Sequence, residues 1–112
     1  MKKDEYIYIK HISDSINKIL EYTRGLREQE FLSKTMVQDA VIRQFEIIGE
    51  ATKQISLEFQ SRYQKIPWKK MEGLRDKLIH DYVGVDLHAV WVTVERDIIE
   101  LDIQIKLILK NY

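Results

Sequence analysis

Residues 86–110, DLHAVWVTVERDIIELDIQIKLILK, set the architecture that the rest of the 112-residue chain has to match. Apolar residues recur there every three or four positions, which predicts one long amphipathic helix, and Asp86 is its expected N-cap. Because Trp91, Ile99 and Ile103 cannot all face one small core, we expect a homodimer to bury the excess apolar surface. The predicted core-facing stripe consists of Leu87, Val90, Trp91, Val94, Ile98, Leu101, Ile105 and Ile108.

The same apolar spacing predicts two helices in the first half of the chain. The first covers about residues 4–24, and the second runs from Ser33 or Lys34 to Phe59. A short element at about residues 28–32 connects them. The first of these helices has an apolar stripe formed by Tyr6, Ile9, Ile12, Ile16, Ile19 and Tyr22.

A third helix is predicted between these two and the last one. Pro67 favours a helix start at Trp68, because proline is well tolerated in the first turn, and the helix should reach Tyr82 before Gly84 ends it. The predicted fold is therefore all-α: an antiparallel up-and-down bundle of four main helices plus a short connecting helix. We expect one domain covering residues 1–112.

The composition limits where the protein is expected to act and which kinds of chemical site it can hold. The chain has no cysteine, which excludes disulfides and thiolate metal sites, and it shows neither a signal peptide nor an apolar run long enough to span a bilayer. We therefore expect a cytoplasmic protein with no membrane contact. Although the net charge is zero, residues 62–77 hold six basic residues and only two acidic ones. Such a patch attracts a polyanion, or it is simply a solvated helix face.

The strongest candidate chemistry follows within this basic stretch. Arg75 carries a permanent charge whose planar fork suits phosphate oxygens, and His80 can exchange a proton near neutral pH. Together they supply what RNA cleavage without a metal requires: an acid, a base and a cation. No cluster of carboxylates and histidines has metal-ligand spacing in the sequence, so a metal-dependent nuclease is the weaker hypothesis.

Spacing alone does not decide the role of this pair. Arg75 is equally well explained as an ion-pair partner of Glu72, and His80 as a residue near a helix C-terminus. Residues five positions apart also point about 140° away from each other on a regular helix. We therefore favour a site assembled from two copies of the segment, or a helix that loosens near His80.

The remaining polar and aromatic candidates are less informative. Arg43, Glu46 and Glu50 share a helix face, either as a salt-bridged solvent face or as residues that line a subunit interface or border the site. His11 and His88 are expected to be surface or packing residues. Trp68 and Trp91 are expected to be core anchors rather than platforms for stacking bases.

Four segments of the chain resemble one known family. Residues 75–82, RDKLIHDY, are similar to the R-x4-H-x-Y signature of HepT-like toxins in the HEPN superfamily. Residues 38–51, QDAVIRQFEIIGEA, resemble the second-helix motif of that family. Residues 66–68, IPW, and residues 82–86, YVGVD, resemble the segments that flank its catalytic helix. The resemblance covers nearly the whole chain in the expected order.

The resemblance implies a metal-independent ribonuclease toxin of HEPN-like fold that forms a homodimer, with its site in the cleft between protomers. Arg75 and His80 match the catalytic pair, Asp76 fills the acidic or amide position after the arginine, and Tyr82 matches the tyrosine to which a minimal nucleotidyltransferase antitoxin transfers AMP from ATP. RNA, with transfer RNA as one class, is the implied substrate, and no cofactor is expected. Lys69, Lys70 and Lys77 are our candidates for RNA binding.

Two other functions compete with the ribonuclease toxin. One is a non-catalytic helical dimer that serves as a binding partner of the nucleotidyltransferase, and the other is a purely structural helical protein. The intact pair of Arg75 and His80 favours the toxin over the binding module. A purely structural protein leaves the basic stretch and Tyr82 unexplained.

Overall fold

The protein is described here by a computed structural model that covers residues 3–73 and 86–111, with side chains from Glu5 onward. Within these two ranges all regular secondary structure is helical, which confirms the predicted all-α fold. The helices are α1 (Lys3–Thr23), α2 (Glu28–Leu32), α3 (Thr35–Lys53), α4 (Leu57–Arg62), α5 (from 68, described to 73) and α6, which comprises Leu87–Val92, Thr93–Asp97 and Ile98–Lys110.

The core forms where α1 packs against α3 and against the second half of α6. Ile9, Ile12, Ile16 and Ile19 of the predicted α1 stripe are fully buried, whereas Tyr6 at its start is exposed and Tyr22 at its end is partly buried. The carboxylate of Glu5, near the start of α1, accepts a hydrogen bond from the backbone N–H of Ser56 beyond the end of α3, so the two helices are antiparallel. Gly25 lies two residues beyond the end of α1 and has a φ of 74°, a backbone conformation that residues with a side chain strongly disfavour.

The second predicted helix is in fact two. α3 ends at Lys53 instead of reaching Phe59, and α4 begins at Leu57. The break occurs because the Ser56 side chain accepts a hydrogen bond from the backbone N–H of Phe59 at 3.1 Å and so acts as a new N-cap. Ile55 within the break and Phe59 after it are both buried, so the apolar pattern continues through the break and the sequence pattern does not reveal it.

α6 begins and ends where the sequence predicted, but it is not a regular α-helix throughout. Asp86 caps it by accepting from the backbone N–H of Ala89, and the helix extends to Lys110. Between them, Thr93–Asp97 form a π-helical turn. The hydroxyl of Thr93 donates to the carbonyl of Ala89 at 2.9 Å, a side-chain bond that perturbs the regular helical ladder at this point.

The start of α6 is attached to α2 by two contacts. The rings of Phe31 and Trp91 lie 5.3 Å apart, centroid to centroid, and both side chains are buried. At the surface, Nδ1 of His88 lies 2.6 Å from a carboxylate oxygen of Glu28. The hydrogen bond and charge of Glu28 raise the pKa of His88 above its usual value. Trp91 and His88 thus have packing and surface roles, as expected from the sequence.

No helix in the described ranges is long and apolar enough to cross a membrane.

Candidate functional site

Of the residues predicted to form the site, the structure describes only those that come first in the sequence. Lys69 and Lys70 are described, at the start of α5. The predicted functional residues that lie outside the described residues are Arg75, Asp76, Lys77, His80 and Tyr82. The described surroundings of the site are α5, which precedes residues 74–85, and α6, which follows them.

A buried tryptophan anchors the entry to α5. Trp68 is 7% exposed, and its indole N–H is shared between the carbonyls of Gln60 at 3.1 Å and Tyr63 at 3.0 Å. Its ring packs edge-on against Phe59, and Met71 one turn later is also buried. These contacts confirm that Trp68 is a core anchor, and they fix the start of α5, which precedes Arg75 in the sequence.

The two lysines beside this anchor have different surroundings. Nζ of Lys70 lies 2.7 Å from a carboxylate oxygen of Asp97, which is 27 residues away in the sequence. Both side chains of this pair are partly exposed, so its effect on stability is small, about 0–1 kcal/mol. Lys69 is exposed and has no ion pair or hydrogen bond in the structure described. Lys69 is thus the lysine available to an external anion.

Asp97 was not identified from the sequence as a residue of the site region. It is the last residue of the π-helical turn of α6, which packs beside α5. A small apolar cavity lies between these elements, lined by Pro67 and Met71 on one side and Ile98 and Leu101 on the other. Because the ion pair joins residues from distant parts of the sequence, no local pattern indicates it.

A polar groove lies elsewhere, between α1 and α3. It has a volume of about 440 Å³, and Tyr8 and His11 from α1 face Arg43 and Glu46 from α3 across it. The rings of Tyr8 and His11 meet edge-on at 6.0 Å. Among the residues described, neither Arg43 nor Glu46 makes an ion pair, so the interpretation as a salt-bridged solvent face does not hold for these two residues.

The described side chains contain no group of three or more histidine, cysteine or acidic residues placed to hold a metal ion. Arg62, which belongs to the same basic stretch as Lys69, is paired with Glu58 at 2.9 Å.

Comparison with known proteins identifies relatives over most of the chain. Residues 12–108 match the family described as HepT-like, ribonuclease HepT-like. The chain is 39% identical to a protein of Caldanaerobacter subterraneus named "Putative RNase", over 93% of each chain. It is 45% identical to "Probable ribonuclease HepT" of Thermococcus cleftensis, covering 88% of this chain and 89% of that protein.

A further relative is longer than this chain. The protein of Methanocaldococcus jannaschii named "Gamma-glutamylcyclotransferase and putative RNase" is 46% identical over 99% of the chain. The chain spans only half the length of that relative. No solved structure matches the chain significantly.

Proposed function

Since the chain belongs to the ribonuclease HepT-like family, we propose that it is a metal-independent endoribonuclease whose catalytic residues are Arg75 and His80. The observation that carries the proposal is the match over residues 12–108, which includes the buried anchor at Trp68 and the complete segment 75–82. Asp76 is proposed to support the pair, and Lys69 and Lys77 to contact RNA. Lys70, the third lysine predicted from the sequence to bind RNA, pairs instead with Asp97.

The proposed reaction is an internal transfer within RNA. The ribose 2′-oxygen attacks the adjacent phosphorus while a base removes its proton, and the bond from phosphorus to the 5′-oxygen breaks as an acid protonates that oxygen. The products are a 2′,3′-cyclic phosphate and a 5′-hydroxyl. His80 supplies the proton transfers, and the guanidinium of Arg75 stabilises the negative charge that accumulates on the phosphoryl oxygens.

A homodimer would bring two copies of this segment together. Arg75 and His80 are five positions apart, so they diverge by about 140° on a regular helix. The exposed apolar surface of α6 supports self-association: Ile99, Ile103 and Leu107 are 49%, 51% and 51% exposed and follow one another at intervals of four residues. Residues at this spacing form one ridge, which can pack into the matching groove of a second copy.

We further propose that the protein is the toxin of a cytoplasmic toxin–antitoxin pair. Its partner would be a minimal nucleotidyltransferase that transfers AMP onto Tyr82. Each AMP unit adds a negatively charged phosphate and a bulky nucleoside two residues after His80. The modification would compete for Arg75 and block access of RNA to the site.

The proposed activity is tested by incubating the purified protein with total RNA, including transfer RNA, in EDTA. We expect cleavage that leaves 2′,3′-cyclic phosphate and 5′-hydroxyl ends, which end-specific labelling detects. If RNA stays intact while the protein still binds the nucleotidyltransferase, the non-catalytic binding module is the correct function. If cleavage requires an added divalent ion, the metal-independent mechanism is wrong.

Co-expression with the nucleotidyltransferase should add AMP-sized mass increments to the protein. The increments should disappear in Tyr82→Phe, because phenylalanine lacks the hydroxyl that accepts the phosphate. Intact-mass spectrometry measures the effect, and Tyr63→Phe, which removes a phenol outside the signature, is the matched control. Increments that persist in Tyr82→Phe would show that the acceptor is another residue.

A further inference from the structure

Lys69 and Lys70, in the first turn of α5, differ in whether an acidic side chain of the described residues pairs with them. Lys70 is held by Asp97 at 2.7 Å, whereas its neighbour Lys69 is exposed and makes no ion pair in the described part of the chain. An RNA phosphate that approaches this turn therefore meets Lys69 without displacing an internal partner. At Lys70 the same phosphate has to compete with the carboxylate of Asp97.

Gly73 follows Lys69 by four residues and lies on the same side of α5. It is exposed, its backbone is helical without a positive φ, and an added Cβ would meet no atom of the described residues within 4 Å. Neither steric crowding nor backbone conformation within the described chain therefore requires glycine here. Glycine is a poorer helix former than alanine, and close approach of a bound molecule to the bare backbone is one physical reason for glycine at such a position.

We propose that Lys69 and Gly73 form a docking point for a phosphate of the RNA strand that flanks the cleaved bond. This inference rests on the proposed ribonuclease function and adds to it the surface along which the strand enters. The ammonium of Lys69 neutralises the phosphate, and the missing side chain at Gly73 lets the sugar-phosphate backbone lie against the helix. Gly73 precedes Arg75 by two positions, so the docking point adjoins the signature segment in the sequence.

The first test is binding of a single-stranded RNA that carries a 2′-deoxyribose at the cleavage position, so that the proposed reaction cannot occur. Lys69→Ala should weaken binding about fivefold at about 0.1 M salt and reduce the slope of log K against log salt by about 0.7, the contribution of one phosphate contact on a single strand. Lys70→Ala removes the same charge one position away and is the matched control. Its slope should stay close to that of the wild-type protein.

The ion pair itself provides an opposite test. Asp97→Asn releases Lys70, so this variant should bind the RNA more tightly than the wild-type protein and show a steeper salt dependence. If Lys69→Ala and Lys70→Ala reduce the slope equally, the two lysines are equivalent and the proposal is overturned. The proposal is also overturned if the wild-type protein does not bind the RNA.

Gly73→Ala separates a docking role from a structural one. Alanine should raise the urea midpoint of unfolding, because it is the better helix former and meets no atom of the described chain, yet it should raise KM for RNA with little change in kcat. Unchanged KM in this stabilised variant would contradict the proposal. Weaker self-association with unchanged RNA binding would instead identify the position as a contact between two copies of the chain.

The proposed function and this inference fail in different ways. Loss of binding in Lys69→Ala, with a wild-type protein that never cleaves RNA, would support the docking point and overturn the ribonuclease. Cleavage by the wild-type protein with unaltered KM in both Lys69→Ala and Gly73→Ala would leave the ribonuclease standing and overturn the docking point.

Discussion

His80→Ala should lower the rate of RNA cleavage by about 100- to 10,000-fold, the usual contribution of a positioned general acid or base. Arg75→Ala should cost about 100- to 1,000-fold, because removing one group that stabilises transition-state charge has an effect of this size. Both rates are measured with excess protein on a labelled RNA in EDTA, so that a single turnover is observed. The loss should appear in the single-turnover rate constant even at saturating protein, where binding no longer limits the rate.

Two matched substitutions control for the loss of a histidine or an arginine as such. His88→Gln removes a histidine that pairs with Glu28 at the surface, and Arg62→Ala removes an arginine that pairs with Glu58. Both variants should cleave RNA within about twofold of the wild-type rate, since exposed pairs contribute little to stability. Wild-type activity in His80→Ala would show that His80 is not the group that transfers the proton.

Mixing the two inactive variants tests whether one site uses both protomers. A heterodimer of Arg75→Ala with His80→Ala retains one intact arginine and one intact histidine on opposite protomers. If the site joins Arg75 of one protomer to His80 of the other, cleavage should return to up to about half of the wild-type rate after the subunits exchange. No recovery, with heterodimers demonstrated by mass, would place both residues of a working pair on the same protomer.

The main features of the fold were predictable from local patterns. The limits of α6 follow from Asp86 and the apolar stripe, and the end of α1 follows from Gly25, because caps and left-handed glycines depend on only a few neighbouring residues. The break after α3 was missed because Ile55 and Phe59 maintain the apolar spacing across it. The signal was present in Ser56, whose side chain caps α4.

The surroundings of the candidate site were less predictable. The basic stretch could be read from the sequence, but the difference between Lys69 and Lys70 could not. That difference depends on Asp97, whose position is set by the π-helical turn of α6 and by the packing of α6 beside α5. Tertiary contacts of this kind have no local signature, because the two residues are 27 positions apart. The roles of Arg75 and His80 rest on the sequence and on the family.

Trp68→Ala should reduce the free energy of unfolding by about 3–5 kcal/mol, the usual cost of removing a buried aromatic side chain. The loss combines the cavity left against Phe59 with two carbonyls, of Gln60 and Tyr63, that lose the indole donor. Urea denaturation followed by circular dichroism measures it. At urea concentrations where the variant is partly unfolded, cleavage should fall in proportion to the folded fraction, because only the folded chain can assemble a site.

Phenylalanine substitutions separate the hydrogen bonds of Trp68 from its apolar packing. Trp68→Phe keeps a buried ring but removes the donor. The carbonyls of Gln60 and Tyr63 each keep a backbone N–H partner, so the substitution should cost about 0.5–1.5 kcal/mol beyond the change in volume, the net contribution of a hydrogen bond. Trp91→Phe is the matched control, because Trp91 is similarly buried against Phe31 and its indole makes no hydrogen bond to any described residue. The difference between the two losses of stability measures the contribution of the Trp68 indole hydrogen bonds at the start of α5. Equal costs would mean that Trp68 holds the start of α5 by packing alone.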